Sequence, residues 1–151
     1  MYARILVPVD GSATAERGLR EAIAWAAQTK AELVLLHVTA DDTVSIEFAP
    51  ARYAEEVREA RRRVGEKLVA GYVGLARESG IDARGVVRDG LGNRVSDIVL
   101  EEADAQRSDL IVMGTHGRRG FDRLALGSDA ELVARRATAP VLLVRHPQAT
   151  H

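Results

Sequence analysis

The sequence predicts a single doubly wound α/β domain, a five-stranded parallel sheet covered by helices on both faces. Three observations predict it. Short apolar runs rich in β-branched residues alternate with longer stretches of helical period, and strands separated by helices imply crossover connections. The 151 residues, 46% hydrophobic and 28% charged, suit one soluble core. A glycine-rich segment follows the fourth apolar run and opens into a helix, and such sheets bind ligands beyond their C-terminal strand ends.

Each element follows from local pattern. Residues 3–9 (ARILVPV) are continuously apolar, hence a buried strand. Ser12 is a good N-cap for a helix over 13–29, where Leu19, Ala22, Ile23 and Ala26 form one stripe with Trp25 beside it. Residues 33–38 (LVLLHV) are the second strand, with His37 in a packing role. Residues 39–50 are a polar connection holding Asp41 and Asp42, long enough for a lid or binding loop. Over 51–79, Val57, Val64, Leu68, Tyr72 and Leu75 keep helical spacing. Gly65, Gly71 and Gly74 weaken that helix by about 1 kcal/mol each relative to Ala, a cost that points to close packing. Gly80 caps its end. Residues 83–88 are a more polar strand, expected at an edge. A helix over 91–105 turns Leu91, Val95, Ile98 and Val99 inward; 109–113 is the fourth strand, 128–138 the last helix and 141–145 the last strand. The domain is expected to span 1–146, leaving 147–151 as a tail.

Composition excludes several functions. A net charge of -1 implies neither general nucleic-acid affinity nor membrane-surface affinity. Without cysteine there is no disulfide, thiol catalysis or cysteine metal site. No apolar run approaches a membrane span, and no signal segment precedes the first strand, so a cytoplasmic protein is expected. The cations are nearly all Arg, which suits phosphate geometry and equally reflects the bias of a GC-rich genome.

The segment Gly114-Thr115-His116-Gly117-Arg118-Arg119-Gly120, with Gly127-Ser128, reads G-x2-G-x9-G-S. Glycines let backbone approach an anion, and a helix start offers unpaired N–H donors at the positive end of a dipole. Pro8-Val9-Asp10-Gly11-Ser12 ends the first strand. If strands one and four are neighbours, as in the order 3-2-1-4-5, the two segments face each other across the switch crevice. Asp10 is a ribose acceptor or a turn residue; Ser128 a phosphate ligand, a helix cap, or both. Arg118, Arg119 and Arg123 neutralise a polyphosphate or are simply solvated; His116 donates to phosphate or is silent. His37, His146 and His151 are scattered through the chain and form no metal constellation. The spacing is neither G-x4-G-K-[ST] nor a G-x-G-x-x-G after the first strand.

With these residues, the chain resembles the ATP-binding branch of the universal stress proteins along essentially its whole length. The resemblance lies in ILVPVDGS (residues 5–12), the strand ending Leu36-His37-Val38, DLIVMGTHGRRG (109–120) and LGSDAELVARRATAPVLLVR (126–145). It implies the sheet order 3-2-1-4-5 and an adenine nucleotide, ATP with magnesium, as ligand. By resemblance Pro8, Val9 and Asp10 border adenine and ribose, and Val38 meets adenine through its backbone. Met113 and Gly114 floor the ribose. Gly114, Thr115, His116, Gly117, Arg118, Arg119 and Gly120, with Gly127, Ser128, Asp129 and Ala130, wrap the phosphates. Asp129 departs from the small apolar residue common in ATP-binding relatives; near phosphate it repels unless metal-bound or turned away.

The implied role is a signalling module in which ATP orders loops and alters the choice of protein partner. The alternatives are slow hydrolysis or self-phosphorylation, with Thr115 and Ser128 as the nearby hydroxyls, and a nucleotide-free protein acting through contacts alone. An apolar last strand, Val141-Leu142-Leu143-Val144, would be an edge, and relatives imply a homodimer through it.

Overall fold

In the computed structural model, residues 1–39, 50–116 and 126–145 are described. The chain forms β1 (Arg4–Pro8), α1 (Ala13–Thr29), β2 (Glu32–Val38), α2 (Ala51–Glu78), β3 (Ala83–Arg88), α3 (Val95–Ala105), β4 (Leu110–Gly114), α4 (Ser128–Arg136) and β5 (Val141–Val144). The five strands run parallel in the order β3-β2-β1-β4-β5. The sheet order the sequence implied is therefore present, with the polar third strand at one edge.

Strand alternation divides the core in two. Ile5, Val7, Leu33, Leu35 and Val112 pack with Leu19, Ala22 and Ala26 of α1 and Val69, Val73 and Ala76 of α2. Leu6, Val34, Leu36 and Ile111 pack with Val99 and Ala103 of α3 and Val133 of α4. Ile5, Leu6, Leu33, Leu35 and Ile111 are fully buried, and each contributes about 1.5–3 kcal/mol by leaving water.

Caps fix the helix ends. Ser12 Oγ accepts the Ala15 N–H at 3.1 Å, as expected of an N-cap. α1 stops where Lys30 turns left-handed at φ 58° and its N–H closes onto the Ala26 carbonyl. After α2, Gly80 takes φ 77°, its N–H bonding Arg77 O while the Ile81 N–H bonds Ala76 O. That double closure is a Schellman ending, one residue beyond the last helical turn.

Two expectations shift. The buried face of α2 is Ala54, Gly65, Val69, Val73 and Ala76, whereas Val64 is 69% exposed and Leu75 41%. Small residues select this face. Val69 sits against Gly85 of β3, where a Cβ would collide with it, and Gly65 passes over His37 of β2. A Cβ at Gly71 or Gly74 would meet nothing within 4 Å, so of the three helix glycines Gly65 alone marks close packing. α3 starts at Val95 rather than Leu91. The Asp89 carboxylate accepts the Leu91 N–H, the Asn93 amide donates to Leu91 O, and Gly92 has φ 72°. These bonds make a turn, and they leave Val95 exposed.

On the same side of the sheet as α3, an ionic chain runs alongside the apolar packing. Glu32 Oε2 and Oε1 take Arg4 Nε at 2.8 Å and Arg84 Nε at 2.5 Å. Arg84 continues to Gln106, whose amide donates to Glu102 at 2.5 Å, and Glu102 holds Arg88 at 2.7 Å. Burial alone would raise the Glu32 carboxyl; hydrogen bonds from Arg84 and Arg4 outweigh it and hold it below the ordinary 4.5. The hydrogen bond that Arg88 donates to Glu102 raises its guanidinium further, against a smaller desolvation effect.

Candidate functional site

The site begins where the sheet comes apart at its C-terminal edge. The β1–β2 register ends at Pro8↔Leu36, and the Val9 N–H closes onto Leu36 O at 2.8 Å. Along a parallel pair the bonding edges alternate, so Val38 is the next β2 residue whose N–H and carbonyl face β1. No backbone bond joins Val9 or Asp10 to Val38 among the described residues. The Val9 carbonyl instead meets His37 Nδ1 at 2.8 Å.

The other seam of β1 opens for a different reason. The β1–β4 register ends at Leu6↔Ile111. The next rung would join the Val112 carbonyl to the N–H of residue 8, but residue 8 is proline and has no N–H. On both sides of β1 the paired register thus stops at the same end of the sheet.

Around this opening stand most of the residues singled out from sequence. Pro8 ends β1 and is followed by Val9 and Asp10, Val38 ends β2, and Met113 and Gly114 end β4. Asp10 Oδ1 accepts the Ser12 N–H at 2.9 Å across the turn that Gly11 makes at φ 81°, so it has the turn role at least. Gly114 has a packing reason as well. A Cβ there would lie 2.7 Å from Thr14 Cγ2 and 3.0 Å from the Thr14 backbone, where the first turn of α1 crosses β4.

The two ends of the glycine segment meet. The Gly127 N–H donates to Thr115 O at 2.8 Å, and a Cβ on Gly127 would stand 2.8 Å from that oxygen. Thr115 is buried, with its N–H on Val144 O and its hydroxyl 3.1 Å from His116 Nδ1; His116 Nε2 is buried without a partner among the described residues. Gly117, Arg118, Arg119, Gly120 and Arg123 lie outside the described residues, as do Asp41 and Asp42.

At α4, Gly127 occupies the N-cap position and supplies no side-chain cap, so Ser128 is the first helical residue rather than the cap. Ser128 is exposed, while the Ala130 side chain belongs to the core, leaving its backbone N–H as what it can offer a ligand. Asp129 turns away: its Oδ1 accepts the Ser96 N–H at 3.1 Å. Arg94, the N-cap of α3, makes no side-chain cap bond, so Asp129 caps that helix from 33 residues away. The carboxylate is stabilised there by the α3 dipole. Arg136 and Asp97, 2.6 Å apart, tie the same two helices again.

Sequence reasoning missed the far wall. Gly90 is buried; its N–H reaches Thr39 Oγ1 at 3.3 Å, and a Cβ there would run into the Thr39 carbonyl. The signal was present in Asp89-Gly90-Leu91-Gly92, a third glycine turn after a third strand end, but read as a helix start. A separate cavity of about 160 Å3 lies at the opposite end of the sheet, lined by Leu100, Ala103, Ile111, Arg136 and Thr138. It is formed by the turn from α4 into β5 and holds none of the residues singled out from sequence for the site.

The sequence profile of the universal stress protein family matches residues 1–145. The chain belongs to the universal stress protein family. Universal stress protein YxiE of Bacillus subtilis is 30% identical over 151 residues, covering 96% of this chain and all of its own. The solved structure of MJ0577, from Methanocaldococcus jannaschii, aligns with a TM-score of 0.86 at 26% identity and 99% coverage of each chain. A universal stress protein in complex with cAMP aligns with a TM-score of 0.68 at 25% identity, covering 97% of this chain and 99% of that one. The universal stress protein fold thus accounts for the strand order, and the site described above lies at the switch point of that order.

Proposed function

We propose that this protein is an adenine-nucleotide-binding module, taking ATP in the crevice at the C-terminal ends of β1, β2 and β4. The observation that carries the reading is the parting of both seams beside β1, next to a helix start without a side-chain cap. Adenine lies against the outward edge of Val38 and Pro8-Val9. The ribose meets Asp10, Met113 and Gly114. The phosphates take backbone N–H groups from Gly114 to Gly120 and from Gly127 to Ala130, where the α4 dipole favours negative charge. The relative solved with cAMP supports an adenine ligand.

Magnesium fits this arrangement as a companion of the triphosphate. Among the described residues no cluster of three His, Asp or Glu is placed to hold a metal ion, and magnesium is commonly held through substrate phosphates and water. Bound, it would neutralise phosphate charge. The Thr115 hydroxyl is buried against His116, which leaves Ser128 as the accessible hydroxyl for any self-phosphorylation. We read the protein as a binder that changes its choice of protein partner with nucleotide. A micromolar dissociation constant corresponds to about -8 kcal/mol, which biases a loop only to the extent that two loop states differ in affinity. The Asp129 carboxylate, which would repel phosphate, is engaged by the Ser96 N–H, and this supports a nucleotide-binding protein over a nucleotide-free one.

Mass analysis of nucleotide released on denaturing freshly purified protein, with titration by MgATP, tests the reading. Gly117→Val is expected to abolish binding; unchanged binding in that variant removes the glycine cradle. We also propose a homodimer through the β5 edge, whose first three residues are half-buried. A concentration-independent monomer mass by light scattering would refute it.

A further inference from the structure

We propose that His37 is a positioning residue: its imidazole holds the ends of β1 and β2 one rung apart, and Gly65 is the gap in α2 that admits the ring. The proposal rests on the nucleotide reading above for its consequence, but its geometry stands apart from it.

The β1–β2 ladder is regular up to Pro8↔Leu36. Its next rung would satisfy the Val9 carbonyl with the Val38 N–H. The His37 ring, on the α2 side of the sheet, takes that carbonyl instead, with Nδ1 at 2.8 Å as the donor. The ring needs room. A Cβ at Gly65 would stand 2.7 Å from its Cδ2 and 3.4 Å from its Nε2. A regular ladder would need neither an imidazole at this position nor a glycine inside a helix, which is costly relative to alanine. The pair makes sense if the separation is the purpose. By occupying Val9 O, His37 keeps the Val38 N–H and carbonyl turned towards the crevice, where an adenine edge can use them. His37 does not touch the ligand; it acts through Val9 and Val38.

The two residues can be tested against each other. His37→Leu removes the donor, so Val9 O is free to take the Val38 N–H. Gly65→Ala pushes the ring away. Each is expected to weaken MgATP binding by about tenfold, the worth of one hydrogen bond to the base. Asn places a donor near the Nδ1 position and lacks the Cδ2–Nε2 arm. His37→Asn, and the double variant with Gly65→Ala, are therefore expected to bind within about threefold of the unmodified protein, a coupling that independent sites would not show. Melts followed by circular dichroism confirm that each variant folds.

A second readout needs no nucleotide. Amide hydrogen exchange at Val38, followed by NMR, is expected to slow in His37→Leu as the extra rung closes. If the unmodified protein binds MgATP, wild-type affinity in both His37→Leu and Gly65→Ala overturns the proposal. If it binds none, the nucleotide reading fails, and unchanged Val38 exchange in His37→Leu then overturns the positioning role.

Discussion

Asp129→Ala separates the two places where this carboxylate can act. The carboxylate accepts the Ser96 N–H, and Ser96 is fully buried, so water does not readily replace the lost acceptor. Ser96 Oγ is already buried without a partner. Loss of a capping side chain costs about 0.5–2 kcal/mol, and burial places this case in the upper half, about 1–2 kcal/mol. For a chain of this length that lowers the melting midpoint by about 2–8 °C. Asp129→Asn keeps an acceptor and loses mainly the charge–dipole part, about 0.3–1 kcal/mol. Urea unfolding followed by circular dichroism reads both. The same variants report on phosphate. A carboxylate ~5 Å from a phosphate charge, at an effective dielectric of ~20, would repel it by ~3 kcal/mol, so removing it would tighten binding by about a hundredfold. With the carboxylate on α3, Asp129→Asn is expected to change MgATP affinity by less than about threefold, since distance and salt screen what remains. Unchanged stability in Asp129→Ala, together with more than tenfold tighter nucleotide binding in Asp129→Asn, would refute the capping argument.

Two further outcomes follow from the packing. Gly114→Ala places a Cβ against Thr14 and forces the first turn of α1 outward; a loss of about 1–3 kcal/mol is expected from overpacking, and an unshifted urea midpoint would contradict the close approach. The Glu32 carboxyl is held below its ordinary value in the folded state, so it contributes stability above the unfolded pKa that is lost as pH falls through the folded one. Glu32→Gln is therefore expected to be less stable than the unmodified protein at pH 7, by about 1 kcal/mol for a partly exposed ion pair, and the two stability curves should converge in acid below 4.5. A gap that persists undiminished at low pH would place the effect elsewhere.

Much of the architecture was legible because it rests on long apolar runs and on strong punctuation. β1, β2 and β4 are apolar on both faces, and helix-period segments lie between them, so the class follows from the pattern; the strand order came with the family resemblance and agrees with glycine segments that meet at the switch point. Ser12 and Gly80 announced their caps. The face of α2 was not legible by hydrophobicity. Val64, Leu68, Tyr72 and Leu75 outweigh Gly65, Val69, Val73 and Ala76 in apolar bulk, yet the second set is buried, with Tyr72 half-buried against the core and Val64 and Leu75 exposed. The choice is made by partners far away in sequence, the hole at Gly85 and the ring of His37. The role of Asp129 was hidden for the same reason, since a cap supplied across 33 residues leaves no local pattern.

The crevice shows the difference most clearly, because its two seams have different kinds of cause. Between β1 and β4 the cause is covalent. A proline cannot donate, so the ladder must stop at residue 8, and that can be read from one letter of the sequence. Between β1 and β2 the cause is a competition for one carbonyl. The Val38 N–H and the His37 imidazole can each satisfy Val9 O, and backbone pairing would ordinarily prevail because it extends the ladder. The imidazole holds the carbonyl here because Gly65 gives it a place to stand. A mobile surface histidine at the same register would have lost that competition. The opening is thus built by three residues on three elements, and only the proline acts through local chemistry alone.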